Sequence, residues 1–401
     1  MSKVELAEGV YWVGAIDWNL RSCGAYNTPY GTTYNCYLVM SDKIALVDTV
    51  KAGFEHEMLG RIKEIIDPAK IDYLICNHVE FDHSGAMPAL MKVAANAKVV
   101  TSRMGKTGLA KHHHTDWGAE VVKTGDTISL GRKTFEFIEA PMIHWPDSMF
   151  TYLMEDKILL PNDAFGQHIA TSRRFEDEIG PEVMEEAAKY FAVIVSPYST
   201  TVQKKLKQIE ERGIRIGMIA PSHGAIWRQP AKIIDAYKRW SSGEAMDKVT
   251  VVFDTMWGST ARMADEIARG IGDEGLQVSQ FNLRNSDWSI IAREIMDSKL
   301  LVIGSPTLNR EVYPTVGGFL KFLSGLRPST KKAAVFGSYG WGAGASKSMK
   351  EELTKGGIEV IEDEMSLQYV PTDEDLERCV EFGRRLARRV RAPDVARTNT
   401  S

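Results

Sequence analysis

In the first half of the chain, apolar residues gather in short runs rich in β-branched and aromatic side chains, with turn residues between them. Val10–Gly14, Thr33–Val39, Ile44–Asp48 and Tyr73–Cys76 read as strands, as do Lys98–Thr101, Thr134–Ala140, Met149–Met154 and Lys157–Leu160. Spacings of three and four predict helices over Glu55–Ile66, Met87–Ala94, Pro181–Tyr190, Val202–Arg212 and Lys232–Trp240. So many strands with helices interspersed imply two mixed sheets with helices outside. Ser241-Ser242-Gly243-Glu244 reads as a linker. Beyond it strand and helix alternate strictly. Strands over Val249–Phe253, Val278–Leu283, Leu300–Gly304, Ala333–Gly337 and Ile358–Ile361 are followed in turn by helices over Ser259–Glu274, Asp287–Asp297, Thr315–Leu326, Ser346–Lys355 and Asp373–Val390. The last helix has Thr372 as N-cap and Asp375 three residues on. This alternation predicts a doubly wound parallel sheet. The expected division is a domain over 1–246, a second over 247–393, and a polar tail over 394–401 expected to lack order.

Composition changes this picture little. Of 401 residues 44% are apolar and 25% charged, ordinary for a globular protein. A net charge of -4 gives no sign of nucleic acid or a membrane surface. No run approaches a membrane span, and Met1-Ser2-Lys3-Val4-Glu5 lacks a signal-peptide pattern, so a cytoplasmic protein is expected. Cys23, Cys36, Cys76 and Cys379 are scattered with no C-x-x-C pair, which argues against an iron–sulfur cluster, a rubredoxin-type site and a disulfide framework.

The chemistry begins at His78-Val79-Glu80-Phe81-Asp82-His83, directly after the strand Tyr73–Cys76. Four metal-competent side chains in six residues cannot point one way on a strand, so a loop is expected there. Three later segments repeat the theme of a strand ending in a ligand type: Ile143-His144-Trp145, Asn162-Asp163-Ala164 and Ser222-His223-Gly224. Four histidines and three carboxylates suit two divalent metals with one bridging carboxylate, the usual spacing being about 3.5–4 Å. Ligand types alone leave iron, zinc and manganese open.

The H-x-E-x-D-H loop with His144, Asp163 and His223 resembles the metallo-β-lactamase fold, an αββα sandwich. Zinc hydrolases of that fold usually carry His where this chain has Glu80. Glu80, Tyr152, Asn162 and the strings Gly14-Ala15-Ile16-Asp17-Trp18-Asn19, Gly31-Thr32-Thr33-Tyr34-Asn35 and His144-Trp145-Pro146-Asp147-Ser148-Met149 resemble the flavodiiron proteins, above all the rubredoxin:oxygen oxidoreductases. The resemblance implies that His78, Glu80 and His144 bind one iron, that Asp82, His83 and His223 bind the other, and that Asp163 bridges. It implies rubredoxin or a similar small carrier as electron donor, and a head-to-tail homodimer or dimer of dimers. Many members carry a His shortly before the G-T-T-Y-N string. Here that stretch is Cys23-Gly24-Ala25-Tyr26, which bears on the choice between O2 and NO.

In the second half, Asp254-Thr255-Met256-Trp257-Gly258-Ser259-Thr260 opens a helix after its strand. Free N–H groups, the helix dipole and neutral hydroxyls suit a phosphate monoester. The lysine of a nucleoside-triphosphate loop is absent. Gly304-Ser305-Pro306-Thr307-Leu308-Asn309 and Gly337-Ser338-Tyr339-Gly340-Trp341-Gly342 stand at the ends of further parallel strands, where ligands bind in such sheets. Trp257, Tyr339 and Trp341 offer aromatic surface to an isoalloxazine ring. The set agrees with the flavodoxin pattern and with FMN as cofactor. No G-x-G-x-x-G follows a first strand, which disfavours NAD.

FMN and two iron ions per chain store four electrons, enough to take O2 to water; two suffice to couple NO into N2O. A gas reductase is therefore expected, with Tyr26, Trp145 and Tyr152 as candidates to shape the pocket. A dizinc hydrolase fused to a flavodoxin module is the alternative, and an electron carrier with a vestigial metal domain a third reading. His112-His113-His114 is expected at a solvated helix end. The basic run Arg384 to Arg391 reads as a solvated helix face.

Overall fold

The structure, a computed structural model, describes residues 4–24, 26–328, 331–362 and 364–391. Ala25 and the tail expected over 394–401 lie outside the described residues. The chain falls into two compact units, Met1–Ser242 and Gly243–Ser401.

The first unit holds two sheets. One runs, in spatial order, β1 (Val4–Ala7), β2 (Val10–Trp12), β3 (Tyr37–Met40), β4 (Ile44–Val47), β5 (Tyr73–Cys76), β6 (Lys98–Thr101) and β7 (Glu120–Val121). Its first four strands are antiparallel and the rest join in parallel. The second runs β8 (Thr127–Ser129), β9 (Thr134–Glu139), β10 (Met149–Leu153), β11 (Ile158–Leu160) and β12 (Met218–Ile219). Alternation along β3, β4 and β5 explains the layering. Tyr37, Val39, Ala45, Val47 and Ile75 bury against Phe135, Phe137, Met149 and Leu160 of the second sheet. Their neighbours Leu38, Leu46, Leu74 and Cys76 bury against α1 (Glu55–Lys63), α3 (Met87–Val93) and α4 (Arg103–His113). A single turn, α2 (Phe81–Ser84), lies between α1 and α3. α5 (Glu182–Tyr190) passes into a π-helical stretch, Phe191–Val195. Two longer helices follow, α6 (Ser199–Glu211) and α7 (Pro230–Ser242), packed together.

The second unit is a parallel sheet of β13 (Met246–Phe253), β14 (Gln277–Asn282), β15 (Ser298–Leu308), β17 (Lys332–Tyr339) and β18 (Glu359–Val360), in the order β14-β13-β15-β17-β18. A hairpin strand β16 (Glu311–Val312) pairs with β15, and β19 (Met365–Gln368) pairs with β17. Val249, Val251, Leu300 and Val302 face α8 (Ser259–Asp273) and α12 (Asp373–Arg391). Val252, Leu301, Ile303 and Val335 face α9 (Trp288–Asp297), α10 (Pro314–Leu326) and α11 (Ala345–Lys355). Both faces are thus covered, as a doubly wound sheet requires. The Thr372 cap forms as expected: Asp375 N donates to Thr372 Oγ1 at 3.2 Å, and Thr372 N donates back to Asp375 Oδ2 at 3.1 Å.

Several elements differ from expectation. The strand expected over Thr33–Val39 is two, Thr32–Tyr34 and β3, broken because Asn35 turns its amide to the Pro221 and Gly224 carbonyls at 2.9 and 3.0 Å. Ser241 and Ser242 are the last turn of α7 rather than a linker, and the chain turns at Gly243 with φ 77°. The strand expected over Ile358–Ile361 is shorter, and β19 joins the sheet beyond it. The arginines of α12 are ion-paired on its outer face, Arg384 to Asp273, Arg388 to Glu274 and Arg389 to Glu362. Among the described residues no helix is long and apolar enough to cross a membrane.

Candidate metal and cofactor sites

The ends of β5, β9, β11 and β12 deliver the seven side chains expected to bind metal. The segment after β5 is only partly a loop. Phe81–Ser84 forms a helical turn, with His83 N and Ser84 N donating to the Glu80 carbonyl and Ser84 Oγ to the Val79 carbonyl. Successive residues of a helical turn diverge by about 100°, so Glu80 and Asp82 reach different neighbours.

Two groups result: His78, Glu80, His144 and Asp163, and then Asp82, His83 and His223. His144 Nε2 lies 3.2 Å from Asp163 Oδ2 and 3.4 Å from Glu80 Oε2, and His78 Nε2 lies 3.3 Å from Glu80 Oε2. On the other side His83 Nε2 lies 3.0 Å and His223 Nε2 3.4 Å from Asp163 Oδ1, with Asp82 Oδ2 3.2 Å from His223 Nε2. One carboxylate, Asp163, therefore faces both groups with different oxygens.

Buried polar atoms are ordinarily satisfied. Here Asp82 Oδ1, His83 Nε2 and Asp163 Oδ2 have no well-formed hydrogen bond. Four imidazoles turning Nε2 toward three carboxylates, with orphaned atoms among them, fit divalent metals with mixed nitrogen and oxygen ligation. The electrostatics agree. Burial disfavours the charged form of His83, yet Asp163 and Asp82 outweigh it and push its pKa up to about 9. Burial likewise opposes ionised Glu80, but hydrogen bonds from His144 and His78 hold its pKa near 2. Asp163 is held well below the usual carboxylate range, its burial outweighed by His83 and His144.

A second layer orients the ligands. His78 Nδ1 donates to Asp147 Oδ2 at 2.9 Å, and Val79 N donates to the same oxygen at 2.8 Å. His223 Nδ1 donates to the Thr33 carbonyl at 2.7 Å. Both leave Nε2 for the cluster.

The pocket candidates divide. Trp145 packs edge-on to His78 with centroids 5.0 Å apart. Tyr26 stands one layer out, its ring edge-on to His168 and its hydroxyl 3.4 Å from Glu186 Oε2. Tyr152 does not reach the pocket; β10 alternation turns it away, and its hydroxyl donates to the Arg215 carbonyl at 2.6 Å. Cys23 borders the cluster: its thiol is pushed up by partial burial and then by Asp82, Glu80 and Asp163. The three histidines do end a helix, with His114 at φ 50°. His112 and His113 are half-buried rather than solvated, because Phe81 stacks on His112 at 4.6 Å and His113 Nε2 bonds Ser84 Oγ at 3.1 Å.

Sequence reasoning missed two residues here. His168 is buried with its ring 4.7 Å from that of His223, and its Nδ1 is 2.8 Å from Thr32 Oγ1. Burial, then the charge of His223, push its pKa down to about 3. Tyr190 stands 6.3 Å from His223 and 5.2 Å from His168 by ring centroids, its pKa raised well above the ordinary value by burial and by Asp163. His168 follows Asp163 closely enough to have been noticed; Tyr190, inside an apolar helical run, gave no signal.

In the second unit the ends of β13, β15 and β17 enclose a cavity of about 530 Å³. Thr255, Met256, Trp257 and Ser259 line it from the first loop, Pro306, Thr307 and Asn309 from the second, and Ser338, Tyr339, Gly340, Trp341 and Gly342 from the third. Gly258, with φ 92°, is the N-cap of α8 and supplies no capping side chain, so the first turn's N–H groups stay open to an anion. Three expected residues do not line the cavity. Gly258 turns the backbone there, the Thr260 hydroxyl bonds Ser338 Oγ at 2.9 Å, and Ser305 Oγ is held between Pro306 O and Tyr313 N. Leu308, Arg310, Tyr369 and Val370 line it unforeseen. Trp257 and Trp341 are 91% and 88% exposed, large apolar surfaces suited to an aromatic ligand. An α8 N-terminus without side-chain cap, flanking hydroxyls and two open indoles fit FMN.

The chain is similar to known proteins along nearly its whole length. Residues 32–224 match the family model described as ODP family beta lactamase, and residues 251–383 match flavodoxin. The chain is 48% identical over 393 residues to the nitric oxide reductase of Moorella thermoacetica, covering 96% of this chain and 98% of that protein. The structure of rubredoxin oxygen:oxidoreductase from Desulfovibrio gigas matches with a TM-score of 0.95 at 38% identity, over 98% of this chain and 99% of that one. The flavodiiron protein of Giardia intestinalis matches with a TM-score of 0.94 at 35% identity, over 98% of this chain and 97% of that one.

Proposed function

We infer the function from the two sites together with one fact: this chain belongs to the flavodiiron protein family. We propose that it is an oxidoreductase that reduces O2 to water, NO to N2O, or both, with FMN passing electrons to a diiron centre. The observation that carries this reading is the Asp163 carboxylate, whose two oxygens face different histidine groups. His78, Glu80 and His144 would hold one iron, Asp82, His83 and His223 the other, and Asp163 both. Glu80, in place of the histidine usual in zinc hydrolases of this fold, weighs against the dizinc alternative. The same proposal assigns the metal centre to 1–246 and the flavin to 247–393. FMN would rest its phosphate at the start of α8 and its ring against the loops after β15 and β17.

When bound, FMN and two irons supply four reducing equivalents, the number that O2 needs to become water, whereas coupling NO to N2O and water needs two. The chain's own residues hold the site ready for that chemistry. Asp147 and the Thr33 carbonyl accept hydrogen bonds from Nδ1–H of His78 and His223 and keep each Nε2 turned inward. Tyr190 stays a neutral phenol at the pocket edge and so keeps a proton on its hydroxyl at neutral pH. His78, His83 and Asp163 are buried, so their ligand atoms are shielded from bulk water. A rubredoxin-like carrier as donor, and a head-to-tail dimer that brings the flavin of one chain to the irons of its partner, complete the proposal.

Anaerobic stopped-flow of the reduced, metal-analysed protein against O2 and separately NO tests it. Iron in the site with flavin reoxidation in milliseconds is the expected result, and the faster gas names the substrate. Zinc in the site with the slow oxidation of an exposed flavin would overturn it.

A further inference from the structure

The turn joining β15 to β16 is two residues long, Asn309-Arg310, set between the paired Leu308 and Glu311. Both have positive φ, 53° and 65°, as a type I′ turn requires. Asparagine tolerates that backbone well, but the second place favours glycine because a Cβ is strained there. An arginine at this place opposes the local preference, and its exposed side chain gains no core packing in return. The tip is firmly placed, since a Cβ on Gly344 would stand 1.9 Å from the Arg310 carbonyl oxygen. The side chain runs beside the loop after β17: a Cβ on Gly342 would lie 3.9 Å from Arg310 Cγ and 4.0 Å from Nε.

Among the residues lining the flavin cavity, Arg310 is the one that carries a charge at neutral pH. The open N–H groups and hydroxyls suited to phosphate belong to the loop after β13. Arg310 stands instead beside the loop that bears Tyr339 and Trp341, two of the three aromatic side chains offered to a ring. A guanidinium there would lie beside a ring system bound against that loop. The oxidised ring is neutral and gains negative charge on reduction, so a fixed cation stabilises the reduced form selectively. We propose that Arg310 sets the reduction potential of the bound flavin by holding its positive charge against the ring. This inference rests on the FMN reading.

The test is a redox titration of protein-bound FMN in the full chain, beside the dissociation constant of oxidised FMN measured by fluorescence. Arg310→Gly and Arg310→Gln are expected to weaken the preference for reduced over oxidised flavin about tenfold, a drop of about 30 mV for two electrons. Oxidised FMN should bind nearly as before, and Arg310→Lys should keep the parental potential. Arg310→Gly should melt no lower than the parent, because glycine relieves the turn, so a potential shift in that variant cannot be misfolding. An unchanged potential with FMN bound would overturn the inference and leave the flavin reading intact. Equal weakening of oxidised and reduced FMN would place the guanidinium on the phosphate and overturn it too. If the parent binds no FMN, the flavin reading itself fails.

Discussion

At the scale of single residues, the groups behind the ligands are as telling as the ligands. Asp147 uses one oxygen to hold both His78 Nδ1 and the Val79 amide. Asp147→Asn should therefore weaken iron at the His78 side about 10–100-fold. Competition with a graded chelator checks this: one iron should leave the variant while the parent still holds both, and simultaneous loss would count against the role. His168 gives a pH signature. Its folded-state pKa is about 3 against an ordinary 6.5, so the folded chain refuses a proton that the unfolded chain accepts. Stability is unaffected above pH 6.5 and is lost as pH falls from there toward about 3, by on the order of 5 kcal/mol in all. Denaturant melts of metal-free His168→Gln against the parent should show that part of the acid slope removed; parallel curves would contradict it. The seven ligand candidates were legible because ligand residue types crowd at strand ends. Tyr190 was not, because a tyrosine within Ala-Ala-Lys-Tyr-Phe-Ala-Val reads as core, and only the fold turns it toward His223.

Elements owe their placement to close approach as much as to pattern. α8 and α12 touch through glycine: a Cβ on Gly383 would lie 2.2 Å from the Ile267 carbonyl oxygen, and one on Gly270 2.0 Å from that of Val380. Neither backbone can yield without parting the helices. Gly383→Ala should destabilise the second unit by about 1–3 kcal/mol. Gly272→Ala, in the same α8 but with nothing within 4 Å, should stabilise it by up to about 1 kcal/mol. Chemical denaturation followed by the bound flavin reads both, and equal effects of the two substitutions would defeat the packing account. The β/α alternation of this unit was plain in the sequence, since short, nearly continuous apolar runs such as Leu300–Ile303 alternate with longer amphipathic stretches. The first unit was harder. β7 and β12 are two residues each, too short for any periodicity to mark. The break at Asn35 arises because its side chain bonds carbonyls at residues 221 and 224, far along the chain.

For the whole molecule, the proposed transfer between partner chains is open to a direct trial. Asp163→Asn should abolish the metal centre and leave the flavin site. A charge placed in the phosphate cradle, Ser259→Asp, should abolish flavin binding and leave the metal site. Neither homodimer should reduce either gas. Mixed dimers of the two should regain part of the activity if electrons cross between chains, because one intact flavin then meets one intact metal centre. Mixed dimers as inactive as their parents would mean that transfer stays within a chain.

The seven inward-facing groups come from stretches as far apart in sequence as residues 78 and 223. Two ions gripped by these groups, with Asp163 common to both, are a tether, restricting the unfolded chain much as a covalent cross-link does. Its benefit to folding is then largely entropic and confined to the chain it ties together. Stripping the metal should lower the melting temperature of the first unit sharply while the second, read by its flavin, melts where it did before. Tethering of this kind also ties the last-made of these stretches to the earlier ones, since the second ion needs residue 223 beside residues 82 and 83.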